Sequence, residues 1–100
     1  MVVNFSIIPL YKGISLSSYV AHAVEIIESS GLNYHVHAMG TLVEGEWEEV
    51  FSLIKHCHER LRNETTRVIT TITVDDRQGA SGRLEGKRKS VEKILGHSVQ

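Results

Sequence analysis

An α+β fold, with two helices covering one face of a four-stranded sheet, is what this sequence predicts. Three observations predict it. Residues 66–76, TRVITTITVDD, are dense in β-branched side chains, which suit a half-buried pleated surface. Two segments carry apolar residues at helical spacing, one ending at Gly31 and one starting after Gly45. Short alternating segments, 3–9 and 34–44, lie before and between those helices. The chain has 100 residues, a length that suits one domain spanning 1–100.

The first strand is expected over 3–9, where Val3, Phe5 and Ile7 alternate with Asn4, Ser6 and Ile8, and Pro9 ends or edges it because it lacks a backbone donor. Ser15 is a suitable N-cap for the first helix, since its hydroxyl can accept from an orphan amide. Leu16, Val20, Ala23, Val24 and Ile27 form that helix's apolar stripe, and Gly31 stops it. A second strand is expected over 34–39, with Tyr34, Val36 and Ala38 on one face and His35, His37 and Met39 on the other. Gly40 permits a tight turn into a short third strand, Thr41–Glu44.

Gly45 opens the second helix. Glu46, Glu48 and Glu49 fall in its first turn, where carboxylates suit the positive end of the helix dipole. Trp47, Val50, Phe51, Ile54, Cys57 and Leu61 form its core stripe. In the last strand Val68, Thr70, Ile72 and Val74 share one face, and Ile69, Thr71, Thr73 and Asp75 the other. A loop over 78–82 leads to a short closing helix ending at Gly96. The order β-α-β-β-α-β plus a helix is the ferredoxin-like plan. The sheet face away from the helices would carry Asn4, Ser6, Ile8, His35, His37, Met39, Ile69, Thr71 and Thr73. This mixed, half-polar surface suits a second subunit, a ligand, or both.

Composition narrows the function. With 41% hydrophobic and 23% charged residues the chain reads as an ordinary globular protein. No apolar run approaches the ~18 residues of a membrane span, and the N-terminal stretch lacks a basic leader and an Ala-x-Ala-like cleavage site. One cysteine allows no internal disulfide and fits a reducing compartment, so the expected address is the cytoplasm. A net charge of −1 exerts no general pull on nucleic acid or acidic lipid.

Catalytic and metal motifs are weak. His35 and His37 share a strand face, but zinc wants three or four ligands and no acid or cysteine is evident beside them. His56 and His58 lie two apart on a helix, which turns about 100° per residue, so they point apart, with Cys57 as a small core residue between two surface histidines. No Gly-x-Ser-x-Gly elbow occurs, and neither Gly40-x4-Gly45 nor Gly79-Ala80-Ser81-Gly82 continues into a P-loop Lys-Ser/Thr. No catalytic residue, metal or cofactor is expected. RNA-binding domains of this plan stack bases on sheet aromatics. Here Phe5 and Tyr34 fall in the helix-facing registers, and the basic run from Arg83 to Lys93 is interrupted by Glu85 and Glu92, so no nucleic-acid partner is expected.

The run Thr41-Leu42-Val43-Glu44-Gly45-Glu46-Trp47-Glu48-Glu49-Val50 resembles the thiamine-binding-type family of small ferredoxin-like proteins, the MTH1187/YkoF-like family. The likeness extends to the strand ending near Pro9 and the closing segment Lys89-Ser90-Val91-Glu92-Lys93. It implies a cytoplasmic homo-oligomer, often a tetramer built by pairing sheets as a dimer of dimers, that binds thiamine or its hydroxymethylpyrimidine part without catalysing a reaction. Thr41, Glu44 and Gly45 carry over position by position. Where some relatives have small polar residues before Thr41, this chain has His37, Ala38, Met39 and Gly40.

The residues accommodate such a ligand. Hydroxyls of Ser6, Thr41 and Thr71 can meet the adjacent donor and acceptor of an aminopyrimidine. Glu44 can offset a thiazolium cation, Ile8 and Met39 offer apolar contact, and His37 can hydrogen-bond or stack. The expected ligand set is therefore Ser6, Ile8, His37, Met39, Gly40, Thr41, Glu44 and Thr71. The other reading is a structural or regulatory oligomerisation module whose open face is filled by a partner subunit alone.

Overall fold

The structure, a computed structural model, describes residues 1–10, 16–79 and 81–99. Its elements run β1 (Val2–Leu10), α1 (Leu16–Ser30), β2 (Asn33–His37), β3 (Gly40–Glu44), α2 (Trp47–Arg62), β4 (Arg67–Asp75) and α3 (Arg83–Leu95). The sheet order is β2-β3-β1-β4, with every neighbouring pair antiparallel. This is the ferredoxin-like plan with an added C-terminal helix. The expected cap at Ser15, the side chain of Leu16 and Ala80 of the 78–82 loop lie outside the described residues.

Strand lengths differ by almost a factor of two. β1 and β4 each have nine residues and pair along their whole length, from Val2↔Asp75 to Leu10↔Arg67. β2 and β3 have five each, and the β1–β3 register ends at Phe5↔Thr41. Past Phe5 no strand among the described residues pairs with β1 on that side. Pro9 therefore sits inside β1, opposite Val68, rather than ending it. A residue without a backbone donor is tolerated in a strand segment with one neighbour.

The core gathers under the doubly paired half of the sheet. Val3, Phe5, Ile27, Val43, Val50, Leu53, Ile54 and Cys57 form one buried cluster between sheet and helices. Register explains the membership: Val3 pairs with Val43, and Val43 with Tyr34, so all three point to the same face. Burial pushes the Cys57 thiol up to about 11, which fits an inert core cysteine.

Two predicted core positions are corrected. Trp47 does not enter the core: it is 54% exposed and stacks on Phe51, with ring centroids 4.6 Å apart. As the first residue of α2 it projects from the rim of the molecule, and the interior side of this helix begins at Val50. In α1 the buried stripe is Tyr19 and Ile27, while Val20 is exposed. His58 is also corrected. It is half-buried, and its Nδ1 is hydrogen-bonded to the Thr70 hydroxyl at 2.6 Å, so α2 is tied to β4 by this pair.

These burials set an order of stabilities. Ile54→Ala should cost about 2–5 kcal/mol, as expected for a large buried aliphatic. Trp47→Ala should cost about 0.5–1.5 kcal/mol, the worth of an aromatic pair. Chemical denaturation of the two variants checks the order; equal losses would mean that Trp47 is buried in solution.

Candidate functional site

Beyond Phe5, beside the Gly40 end of β3, a stretch of β1 lies uncovered by β3. A cavity of about 370 Å³ lies there, within the range of small-molecule sites. Its floor is Phe5 and Ile7 of β1, its roof Tyr19, Val20, Ala23 and Val24 of α1, and its side Val36, Ala38 and Thr41 of the β2–β3 hairpin, with Leu61 of α2 also contributing. The walls are mostly apolar, and no described residue lining it carries a carboxylate.

The hairpin corner shapes the rim. Gly40 has φ +152°, and a Cβ there would stand 2.7 Å from the Phe5 carbonyl oxygen and 3.1 Å from Asn4 Oδ1. Only glycine lets β3 approach β1 this closely. The missing side chain also opens a path over β3. His37, which pairs with Gly40, reaches across to Asn4, Nε2 to Oδ1, 2.9 Å. Met39 N–H donates to His37 Nδ1 at 3.2 Å. Both ring nitrogens of His37 are thus engaged, Nδ1 by the turn backbone and Nε2 by Asn4. His37 acts as a brace for the turn.

The structure brings together Ser6, Ile8, His37, Met39, Gly40 and Thr41 around this cavity. Met39, 80% exposed in the turn, stands at the mouth. Thr41 shares the helix-facing register of Phe5 and Val36. Ser6 and Ile8 alternate with Phe5 and Ile7, so they border the cavity from the strand that β3 has left uncovered. Two residues stand apart. Thr71 pairs with Ser6 on the face away from the helices and does not line the cavity. Glu44 lies at the far end of β3, four residues or about 13 Å along the strand from Gly40. Its carboxylate accepts from the Arg83 N–H at 2.7 Å and so caps the start of α3.

The pairing of His35 is also a departure from the sequence reading, which saw no acid nearby. Glu85 of α3 hydrogen-bonds His35 and pairs with Arg88. Sequence separation of fifty residues hid this contact. Among the described residues no group of three or more His, Cys, Asp or Glu side chains is placed to hold a metal. No helix is long and apolar enough to cross a membrane. Tyr19, Val36, Ala38 and Leu61 were not anticipated as cavity residues. The signal for Tyr19 was present, since 19, 23 and 27 follow helical i, i+4 spacing.

The thiamine-binding protein family matches residues 3–92. The chain belongs to this thiamine-binding protein family. Among its relatives is UPF0045 protein MJ1052 of Methanocaldococcus jannaschii, 34% identical over 94 residues that cover 94% of each chain. A UPF0045 protein of Methanothermobacter thermautotrophicus is 39% identical over 95 residues, covering 92% of this chain and 96% of the relative. The crystal structure of MJ1052 superposes with a TM-score of 0.83 at 35% identity, covering 92% of this chain and 95% of that one. The Thermotoga maritima protein TM0486, described as a "putative thiamine biosynthesis/salvage protein", superposes with a TM-score of 0.78 at 27% identity, covering 90% of this chain and 96% of that one. The thiamine-binding family thus accounts for nearly the whole chain, including the cavity elements.

Two expectations follow for the site. Gly40→Ala should destabilise by about 1–3 kcal/mol, because the added methyl meets backbone rather than a yielding side chain; an unchanged denaturation midpoint would contradict the corner geometry. The second concerns acid. The His35 hydrogen bond, then Arg88, His35 and Lys89 by charge, hold Glu85 below the ordinary carboxylate range despite some desolvation. A lowered folded value means the contact is complete above the unfolded glutamate pKa of about 4.3 and is lost as pH falls through the folded one. Amide exchange should show α3 losing protection on acidification before the sheet does. Simultaneous loss would mean that Glu85 does not hold α3.

Proposed function

We propose that this protein is a non-enzymatic binder of thiamine or its hydroxymethylpyrimidine part, acting as a cytoplasmic carrier or sensor. The observation that carries this reading is the cavity beside the uncovered segment of β1, in a chain of the thiamine-binding family. An aminopyrimidine presents a donor and an acceptor side by side, and a strand edge together with the Thr41 hydroxyl can answer both. Apolar walls suit the ring faces. A thiazolium cation finds no carboxylate among the described residues of the cavity, so the pyrimidine half goes in and the charged half lies toward the mouth at Met39 and His37. The name of TM0486 points to the same chemistry.

The proposal includes self-association, with a dimer of dimers as the expected assembly and residues 1–100 acting as one domain. α3 buries no residue in its own chain, and Ile94 is 84% exposed. On the open sheet face Ile8 and Ile69 pair with each other and are also exposed. The radius of gyration is 15.1 Å, against about 13 Å for a compact chain of this length. The exposed apolar residues of α3 and the Ile8–Ile69 pair on the half-polar sheet face are surfaces that copies of one chain can cover. The same surfaces favour the second reading, an oligomerisation module without a ligand.

Calorimetry with thiamine and hydroxymethylpyrimidine separates the two. The binding reading expects both to bind, with Thr41→Val weakening affinity about 2–10-fold, the worth of one hydrogen bond. Glu44→Gln should leave affinity unchanged. Failure of both compounds to bind would leave the oligomerisation reading, and equal loss in the two variants would move the site away from the cavity.

A further inference from the structure

The two edges of the sheet are finished differently. β2 forms one edge; it has five residues, and Glu85 of α3 reaches its His35. β4 forms the other edge and has nine residues. Its register with β1 runs unbroken from Arg67 to Asp75, so no bulge interrupts it. It holds no proline, and its only charges stand at its two ends. Among the described residues no backbone group pairs with its outer side. A long strand edge of this kind is a template for another strand, and proteins normally blunt it with charge, proline, a bulge or a covering element. Within β4 the first three of these devices are missing.

The side chains of β4 are also left half covered. Ile72 pairs with Phe5 and so faces the helices, yet Phe5 is 3% exposed and Ile72 38%. The helix layer covers β1 at this level and leaves the edge strand partly open. On the opposite face Ile69 is 43% exposed. Open backbone and open apolar side chains thus coincide along one edge.

We propose that β4 pairs antiparallel with β4 of a second copy about a two-fold axis at Thr71, joining two sheets into one. The sequence of the strand is self-complementary in that register. Arg67 then faces the second copy's Asp75 at both ends, Val68 faces Val74, Ile69 faces Thr73, and Thr70 faces Ile72. Each pair keeps its own face of the sheet, as strand pairing requires. Centring the axis elsewhere shortens the ladder and leaves Arg67 and Asp75 unmatched. Exposed ion pairs contribute little strength, so these two fix direction and register, while the backbone ladder and the apolar pairs hold the contact. A two-fold interface uses the same patch on both copies, which this strand supplies. The contact rests on the self-association part of the reading above and names one of the surfaces involved; the ligand part is independent of it.

Thiol cross-linking and sedimentation velocity test the contact. Cys57 is buried, so an introduced cysteine is the reactive one. Oxidation of Thr71→Cys should give a disulfide-linked dimer, because the axis sets the two side chains opposite each other. Thr73→Cys should give none, since its two copies would stand four residues, about 13 Å, apart along the pair, beyond disulfide reach. Thr71→Lys sets like charges across the axis and should weaken association about tenfold. The cysteine result decides even where the lysine variant fails to fold. Cross-linking absent from Thr71→Cys, or equal in Thr73→Cys, overturns the β4 contact and leaves self-association through the other surfaces standing; so does association unchanged in folded Thr71→Lys. Wild-type protein that sediments as a monomer overturns the contact and the assembly reading together, and leaves the cavity reading standing.

Discussion

The constraint on which the rest of the structure depends is a mismatch in strand length. β1 and β4 run nine residues, and the β2–β3 hairpin covers only the first part of β1, as far as Phe5↔Thr41. Because backbone pairing ends there, the molecule divides into two regions of different physical character. Under the covered half, Val3, Val43, Ile27 and Val50 pack without exposure. Beside the uncovered half, the same two layers can no longer close, and a cavity remains between β1, α1 and the hairpin corner. The packed core and the cavity thus lie at opposite ends of one sheet.

Gly40 holds the boundary between these regions. Its lack of a side chain lets β3 approach Phe5 and lets the His37 ring pass over β3 to Asn4. The corner is therefore fixed by one absence and two hydrogen bonds, with the Met39 N–H completing the brace. A rim held in this way is preorganised, which lowers the ordering cost of binding. Gly45, at the other end of β3, does a comparable job for the core, since a Cβ there would stand 3.2 Å from both Leu32 and Val50 side chains. The two glycines frame the strand whose length decides the architecture.

The fold was legible in the sequence wherever periodicity acts locally. The β-branched run 66–76 contains β4, the stripe from Val50 to Leu61 faces the core, and Gly31 ends α1 with φ +75°. Thr41, Glu44 and Gly45 pointed to the family. Facing errors arose where apolar residues crowd a helix. Tyr19 and Val20 are adjacent, and only tertiary packing selects Tyr19 for the interior. Trp47 was misread because a large aromatic at a helix start satisfies the stripe without reaching the core. The site was half legible. Alternation placed Ser6 with Thr71, but it carries no information on where a partner strand stops, and that endpoint creates the cavity. Contacts over long separation, Glu44 with Arg83 and His35 with Glu85, were invisible for the same reason.

The central claim is that a small heteroaromatic ligand occupies the space left where the hairpin ends. Backbone amide chemical shifts, followed as hydroxymethylpyrimidine is titrated into the isotopically labelled protein, test it most directly. The account predicts shifts concentrated at Ile7, Tyr19, Ala23, Val36 and Gly40, with Leu42, Thr71 and Thr73 on the open face unmoved. Shifts confined to that open face, or none anywhere, would contradict it.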